Sequence, residues 1–161
     1  MGASVVAGII ACSGGASASS GPSVHGGGMV TLPAQFDDLA GDPVYFQLQA
    51  HGVGEAAAGR FSVVHLDDAG GLYAHAVGDV TCLSVVGGVA SATGIIRHAW
   101  FRDFPGSSVV GMAVAITVAD NGSEDALGFH FEFFGEPTIA PCADVTPFVA
   151  VDRGNFAVRS G

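Results

Sequence analysis

The sequence predicts an all-β domain, either a small antiparallel up-and-down β-barrel or, as the alternative, a β-sandwich. Apolar and polar residues alternate along most of the chain, and almost no stretch shows helical spacing. Turn signals rich in Gly, Asp and Asn separate nearly all of these stretches, as at 67–71, 87–88, 105–107 and 120–123. Because short connections make neighbouring strands antiparallel and many strands bury their edges best by closing, we favour the barrel.

The individual strands follow from the same pattern, each bounded by turn residues. The strand predicted at 109–119 carries small side chains such as Ala113 and Ala115 on one face. If that face points inward, it leaves room for a cavity in the barrel. The stretch 55–58 suits one helical turn at most. The predicted strands are 29–32, 44–50, 60–66, 72–77, 79–86, 89–100, 109–119, 127–134, 148–151 and 155–159.

Residues 1–28 are predicted to be a truncated signal or lipobox-like leader with a flexible Gly/Ser segment, followed by a single β-barrel domain at 29–161. A short apolar run ends at Cys12, and the four residues 9–12 have the form of a lipobox. Cleavage before Cys12 leaves a lipid-anchored protein, whereas cleavage after the A-x-A sequence at 16–18 releases it. No basic residue precedes the run, so we expect the signal to start upstream; the alternative is a disordered tail without targeting value.

The charge of the chain argues against some classes of binding partner. Fifteen Asp and Glu residues stand against five arginines and no lysine, and the formal net charge is −10. Such a surface repels phosphate, so neither nucleic acid nor attachment to anionic lipid by charge is expected. The apolar run is shorter than the roughly 18 residues that span a bilayer. Contact with a membrane is therefore expected only through a lipid on Cys12.

Cys82 and Cys142 are predicted to form a disulfide. Cys82 lies within a predicted strand, and Cys142 lies in a proline-punctuated loop that is free to reach it. The bridge encloses about 60 residues and stabilises the fold by roughly 4 kcal/mol on the chain-entropy model. Two buried free thiols are the alternative. A disulfide of this kind indicates an extracytoplasmic location, whether secreted or anchored to the cell envelope.

Four short segments carry a resemblance to a known group of proteins. They are Gly59-Arg60-Phe61, the G-D-V-T-C-L stretch at 78–83, the V-A-D-N-G stretch at 118–122, and the R-G-N-F stretch at 153–156. In this order they resemble the segments of a family of small exported actinobacterial β-rich proteins. The resemblance covers most of the chain after residue 25 and implies export and a β-rich domain. It brings no catalytic residues to this chain.

Histidine and tyrosine supply the first candidate ligand-binding residues. If the loop at 67–71 joins its two strands directly, His65 faces Tyr73 and Val63 faces His75. His65, Tyr73 and His75 then share one sheet face, which a shift of one residue in register would undo. Inside a barrel they could bind a polar ligand atom, pass a proton or contribute to a metal site. The alternative is that they form a polar outer face or isolated, satisfied contacts.

Aromatic and arginine residues supply the second set of candidates. Arg97, Trp100 and Arg102 lie at the end of one predicted strand, close to Phe101 and Phe104. Large rings there either close the barrel or line its mouth, and rings beside a cation suit an apolar ligand with an anionic or carbonyl end. A further set of rings alternates on one face of a later strand and predicts core: Phe129, Phe131 and Phe133.

No catalytic or metal motif stands out, and neither a cofactor nor a metal is expected. His130 and Glu132 share a strand face, but two potential ligands do not make a metal site. The chain has no G-x-S-x-G sequence to carry a nucleophilic serine. Three functions stay open. The leading one is an exported or lipid-anchored domain that binds a small apolar molecule or a partner protein; the others are a barrel cyclase or isomerase that uses lumen His and Tyr, and a structural envelope protein.

Overall fold

The computed structural model describes residues 21–133 and 138–161, which form nine β-strands and two short 3₁₀ turns. Cys12 and most of the predicted leader lie outside the described residues. Within the described part of the chain, no helix is long and apolar enough to cross a bilayer. The strands are β1 Ser23–Thr31, β2 Pro43–His51, β3 Ala58–Leu66, β4 Leu72–Val86, β5 Val89–Phe101, β6 Ala113–Ala119, β7 Ala126–Phe131, β8 Val149–Ala150 and β9 Arg153–Arg159.

All nine strands form one antiparallel sheet in the order β8-β7-β6-β5-β4-β3-β2-β1-β9. From β1 to β7 each strand pairs with the next one in sequence, which is the predicted meander. β8 and β9 lie on opposite edges of the sheet, although only residues 151 and 152 separate them. The sheet therefore curls until its edges approach each other. This confirms the all-β class and the small up-and-down barrel.

The loop that joins β6 to β7 closes the seam between the two edges. The Phe156 N–H donates to Asp125 Oδ2 at 2.7 Å, and the Val158 N–H donates to Asp120 Oδ2 at 3.0 Å. On the β8 side of this seam, the Val151 N–H donates to the Asp125 carbonyl at 2.8 Å and extends the pairing of β7 with β8. Carboxylates thus satisfy N–H groups of the edge strand β9 that do not pair with another strand.

β1 begins at Ser23, earlier than the predicted start at 29, so residues 23–28 belong to the barrel and not to a flexible segment. A glycine in the first part of the strand explains why residues 23–28 can pair with β9. Gly26 has a φ of 147° and lies against the backbone of β9, where a Cβ would collide with the carbonyl oxygen of Asn155. Only glycine permits so close an approach of two backbones.

β4 is one continuous strand, whereas two strands separated at Gly78 were predicted. Gly78 stays within the strand because the Phe61 ring of β3 packs directly over it, where a Cβ would clash. The register between β4 and β5 shifts between Val77 and Gly78, and again between Val80 and Cys82. Such bulges bend a sheet and increase its twist, so the barrel is sharply curved along this line.

Apolar side chains fill the interior of the barrel. Phe46 and Phe156 are among its largest fully buried residues, with exposures of 1% and 0%. The predicted core rings Phe129, Phe131 and Phe133 pack against this cluster, as expected. Because these side chains occupy the interior, a binding site is expected on the outer surface of the barrel.

The small side chains of β6 do not face the interior, which corrects the expectation of a cavity beside them. Val114 and Ile116 belong to the core, so Ala113 and Ala115 lie on the opposite side of the strand. All seven residues of β6 are nonetheless buried. The outer side of β6 must therefore be covered by another part of the chain.

Residues 138–148, called the strap below, provide cover on that side. Cys82 and Cys142 lie at disulfide distance, with Cα atoms 5.1 Å apart, in agreement with the predicted pairing. The Cys142 N–H donates to Thr93 Oγ1, and the Val145 N–H donates to Thr117 Oγ1, both at 3.0 Å. The strap is therefore attached to β4, β5 and β6 by one cysteine pair and two hydrogen bonds.

Candidate functional site

The structure divides the predicted site residues between two places. His65, Tyr73 and Arg102 lie together at one end of the barrel. Arg97 and Trp100 lie on β5, and His75 lies opposite Trp100 on β4. The predicted residues therefore do not form one site.

A bulge between His65 and Leu66 causes this division. His65 pairs with Ala74 and Val64 pairs with His75, where the sequence predicted pairs of His65 with Tyr73 and of Val63 with His75. The shift by one residue places His75 on the sheet face opposite to that of His65. The prediction that His75 shares a face with His65 is thus wrong. Tyr73 still contacts His65, with ring centroids 4.7 Å apart.

The end of the barrel holds a compact set of polar contacts. His65 Nε2 lies 2.9 Å from Oδ2 of the buried Asp42. Arg102 lies over the Tyr73 ring at 5.6 Å from its centroid. Arg102 also donates from Nη2 to Asp67 Oδ2 at 2.6 Å and to the Leu72 carbonyl at 2.8 Å. These contacts join the residue before β2 to β3, and the β3–β4 loop to the end of β5.

Two ionisable groups of this end have shifted pKa values. Burial is the main cause that raises the pKa of Tyr73 above its ordinary 10.0, and the nearby Asp103 carboxylate adds to the effect. The hydrogen bond from Arg102 is the main cause that lowers the pKa of Asp67. Both pKa shifts follow from contacts within the protein, so they need no bound ligand to explain them.

Aromatic rings also close this end. Phe101 stacks on Phe104 with centroids 4.2 Å apart and meets Phe133 edge-on at 5.8 Å. Phe133 in turn stacks on Phe131 at 5.3 Å. The rings contact each other and the core, as expected of a plug. The outer surface is therefore the remaining candidate for a binding site.

The outer surface of β9, β1, β2, β3, β4 and β5 is a continuous sheet face, called the cationic face below. Strand register defines its transverse rows, because directly paired residues project from the same side. One row is Ala157, His25, Gln49, Arg60, Asp79 and Ile95; the next is Asn155, Gly27, Gln47, Ser62, Val77 and His98; the third is Arg153, Met29, Tyr45, Val64, His75 and Trp100.

Positively charged side chains are concentrated on this face. It carries four of the five arginines, together with four of the six histidines, in a chain of net charge −10. Asp79 is the one carboxylate among the paired positions of its six strands, and it is bound by Arg97 Nε at 2.8 Å. The arginines are Arg60, Arg97, Arg153 and Arg159, and the histidines are His25, His51, His75 and His98.

Three of these arginines are available to a ligand. Arg60, Arg153 and Arg159 are exposed, and within residues 21–133 and 138–161 they have no ion-pair partner. A guanidinium presents five N–H donors in a planar fork that matches a carboxylate. The face therefore offers unused cationic donors on a protein that is acidic elsewhere.

An open groove of about 1050 Å³ runs over the cationic face. It lies where Gly78 and the register shift in β4 bend the sheet. Apart from Val77, most of its outward side chains are polar and suited to hydrogen bonding, among them His25, Gln47, Gln49, Arg60, Asp79 and Arg97. The groove is open to solvent, so it suits a ligand longer than itself.

Exposed aromatic side chains flank the groove. Tyr45 is 45% exposed and Trp100 is 47% exposed, and both lie in the third row, with Val64 and His75 between them. Large apolar residues this exposed on a sheet face are typical of contact surfaces. Aromatic rings beside a polar groove can stack on the flat faces of a ligand while polar groups bind its edges.

Sequence reasoning found only part of this face. It selected His75, Arg97 and Trp100 but missed Tyr45, Arg60 and the histidines at 25, 51 and 98. The alternation Gln47-x-Gln49-x-His51 in β2 was a usable signal, because it gives a strand with a polar outer face. Within the described residues, no group of three His, Cys, Asp or Glu side chains could hold a metal ion.

Comparison with known proteins does not indicate a family. No protein-family model matches the chain, and neither the curated proteins nor the solved structures give a match. The function is therefore inferred from the cationic face and its groove.

Proposed function

We propose that this protein is an exported, non-catalytic domain that binds an extended polar molecule across its cationic face. One observation carries the proposal: an open groove lined by Arg60 lies on a face that also exposes Tyr45 and Trp100 and is almost free of carboxylates. The remainder of the chain carries nearly all of its acidic residues. A charge separation of this degree favours a ligand on the cationic side.

The filled interior favours the outer surface over the lumen as the binding site. Small-molecule sites usually bury most of the ligand in an enclosed, mainly apolar pocket. Here the interior is occupied by rings such as Phe46 and Phe156, and the groove outside is open and carries several polar side chains. A long molecule that lies across several strands suits such a groove better than a small apolar one does.

The proposed location outside the cytoplasm has two supports. The cysteine pair Cys82 and Cys142 lies at disulfide distance, which suits an oxidising compartment. The resemblance to small exported actinobacterial β-rich proteins points the same way. Polysaccharides are abundant extended polar molecules outside cells, so they are the first ligands to test.

Trp100 provides a direct test, because it is the only tryptophan of the chain and lies on the proposed face. Its fluorescence is recorded while dextran, xylan, a β-glucan and polygalacturonate are titrated into the protein. At least one polymer is expected to shift the emission in a saturable manner. An unchanged spectrum with every polymer, together with no retardation in gels containing them, would overturn the proposal.

Variants of the aromatic row refine this test. Tyr45→Ala, followed by fluorescence, and Trp100→Ala, followed by gel retardation, are each expected to weaken binding roughly tenfold, as loss of a stacking ring does at a binding site. Val86→Ala is the matched control, because Val86 is 73% exposed but lies at the turn end of β4. If Val86→Ala weakened polymer binding equally, the losses would reflect lower protein stability and not the loss of a contact with the polymer.

A further inference from the structure

We infer that the ligand of the cationic face is a carboxylated polysaccharide, such as a polymer of uronic acids. The inference rests on the proposed function and names the chemical class of its ligand. Three properties of the face lead to it: the spacing of its cations, the presence of Asp79 among them, and the mixture of amide and aromatic side chains.

The cations are spread over the face. Arg153 and Arg159 lie on β9, and Arg60 lies on β3, three strands away, which is about 14 Å at the usual strand spacing. Arg97 lies two strands further on β5. Isolated cations at such distances match a chain with one carboxylate per sugar or per few sugars.

The position of Asp79 argues for hydroxyl groups on the ligand. Its carboxylate is paired with Arg97, half exposed, and lies in the same row as Arg60. A carboxylate in the middle of a binding face repels anionic groups and accepts hydrogen bonds from hydroxyl groups such as those of sugars. A ligand that satisfies both Asp79 and the arginines needs hydroxyl donors beside its anionic groups.

Amide and aromatic side chains complete the match to sugars. Gln47 and Gln49 project from β2 into the groove, and each can donate and accept hydrogen bonds at once, as vicinal hydroxyls require. Tyr45 and Trp100 expose flat apolar faces in the adjacent row. Sugar rings have an apolar face of C–H groups and a polar rim, so they suit this combination.

Single-stranded nucleic acid is the competing polyanion with flat rings, and the observations favour it less. Nucleic-acid affinity comes mainly from many cations that neutralise successive phosphates. Within the described residues the face has three unpaired arginines, on β3 and β9, and the whole chain has a net charge of −10. The negative net charge opposes any polyanion, but a uronic-acid polymer offers hydroxyl donors to Asp79 and to the glutamines, whereas phosphates offer none.

Affinity electrophoresis in native gels tests the inference. The gels contain polygalacturonate, alginate, hyaluronate or single-stranded DNA, and a parallel gel contains polygalacturonate whose carboxylates are methyl-esterified. We expect at least one carboxylated polymer to retard the protein, and esterification to weaken binding to polygalacturonate roughly tenfold if that polymer binds. Added salt should weaken binding to the carboxylated polymer because it screens exposed charges.

An arginine variant links the effect to the face. Arg60→Gln is expected to weaken binding to the carboxylated polymer roughly fivefold and to leave the melting temperature unchanged, because Arg60 is exposed and has no ion pair within the described residues. Arg159→Gln is the second variant if Arg60→Gln does not fold. Arg102→Gln is the matched control, since Arg102 is the remaining arginine and lies at the barrel end.

The outcomes separate the two proposals. Equal binding to esterified and free polygalacturonate, or binding to neutral polymers alone, overturns the carboxylate inference and leaves the proposed binding function in place. Retardation by single-stranded DNA and by no polysaccharide makes the face a nucleic-acid site and overturns the inference. No binding to any polymer in either assay overturns both proposals.

Discussion

The Asp125 carboxylate accepts a hydrogen bond from the backbone N–H of Phe156 at 2.7 Å and so joins the β6–β7 loop to the edge strand β9. Asp125 is 4% exposed, and its second oxygen accepts the N–H of Asn121 at 3.2 Å. Phe156 itself is fully buried in the core. Together with Asp120, this acidic side chain therefore closes the seam of the barrel, and it fixes a core residue.

Replacing Asp125 is expected to destabilise the barrel strongly. Asp125→Ala should lower the free energy of unfolding by about 2–4 kcal/mol, because it leaves the buried N–H of Phe156 without an acceptor. Chemical denaturation measures the change. Asp68→Ala is the control, since Asp68 is an exposed loop carboxylate. Similar losses in both variants would contradict the role assigned to Asp125.

Gly78 is expected to tolerate no side chain. In Gly78→Ala the new Cβ would collide with the Ile95 carbonyl oxygen and the Phe61 ring, so the free energy of unfolding should fall by about 2 kcal/mol or more. Gly21→Ala is the matched control, because no atom lies within 4 Å of the corresponding Cβ position. A melting temperature of Gly78→Ala equal to that of wild type would mean that the sheet is less tightly bent.

The cysteine pair is expected to be oxidised in the mature protein. Cys142→Ser should lower the free energy of unfolding by roughly 4 kcal/mol on the chain-entropy model, because the open chain gains conformational freedom when it unfolds. Cys12→Ser is the control and should leave this stability unchanged. Peptide mapping under non-reducing conditions checks the bond directly, and two alkylatable thiols at Cys82 and Cys142 in the native protein would refute it.

Tyr73 is expected to make the fold sensitive to alkali. Burial raises its pKa, so the folded protein holds the phenol proton more tightly than the unfolded chain does. This contribution to stability is fully present below the ordinary pKa of 10.0 and is lost as pH rises through the higher pKa of the folded state. Tyr73→Phe should therefore lose less stability than wild type over that alkaline range. Denaturation at increasing pH measures this, with Tyr45→Phe as the control; parallel curves for wild type and Tyr73→Phe would contradict it.

Local features of the sequence predicted much of the fold. Alternation and turn residues lie within short stretches of the chain, so they predicted the sheet, the meander and the core rings of β7. The pairing of Cys82 with Cys142 followed from one strand and one loop. The start of β1 and the continuity of β4 were missed, because Gly26 and Gly78 pack against the distant residues Asn155 and Phe61.

The sequence by itself determined that the protein is an acidic, all-β domain with scarce arginines and a single tryptophan. Only the tertiary structure decided which of these residues lie together. A one-residue bulge beside His65 moved His75 to the opposite face, next to Trp100. The register of four strands, from β9 to β3, then placed Arg60 and Arg159 on one surface. Register depends on pairing between distant segments, and a slip of one residue reverses every side chain of a strand, so no local pattern could have predicted the cationic face.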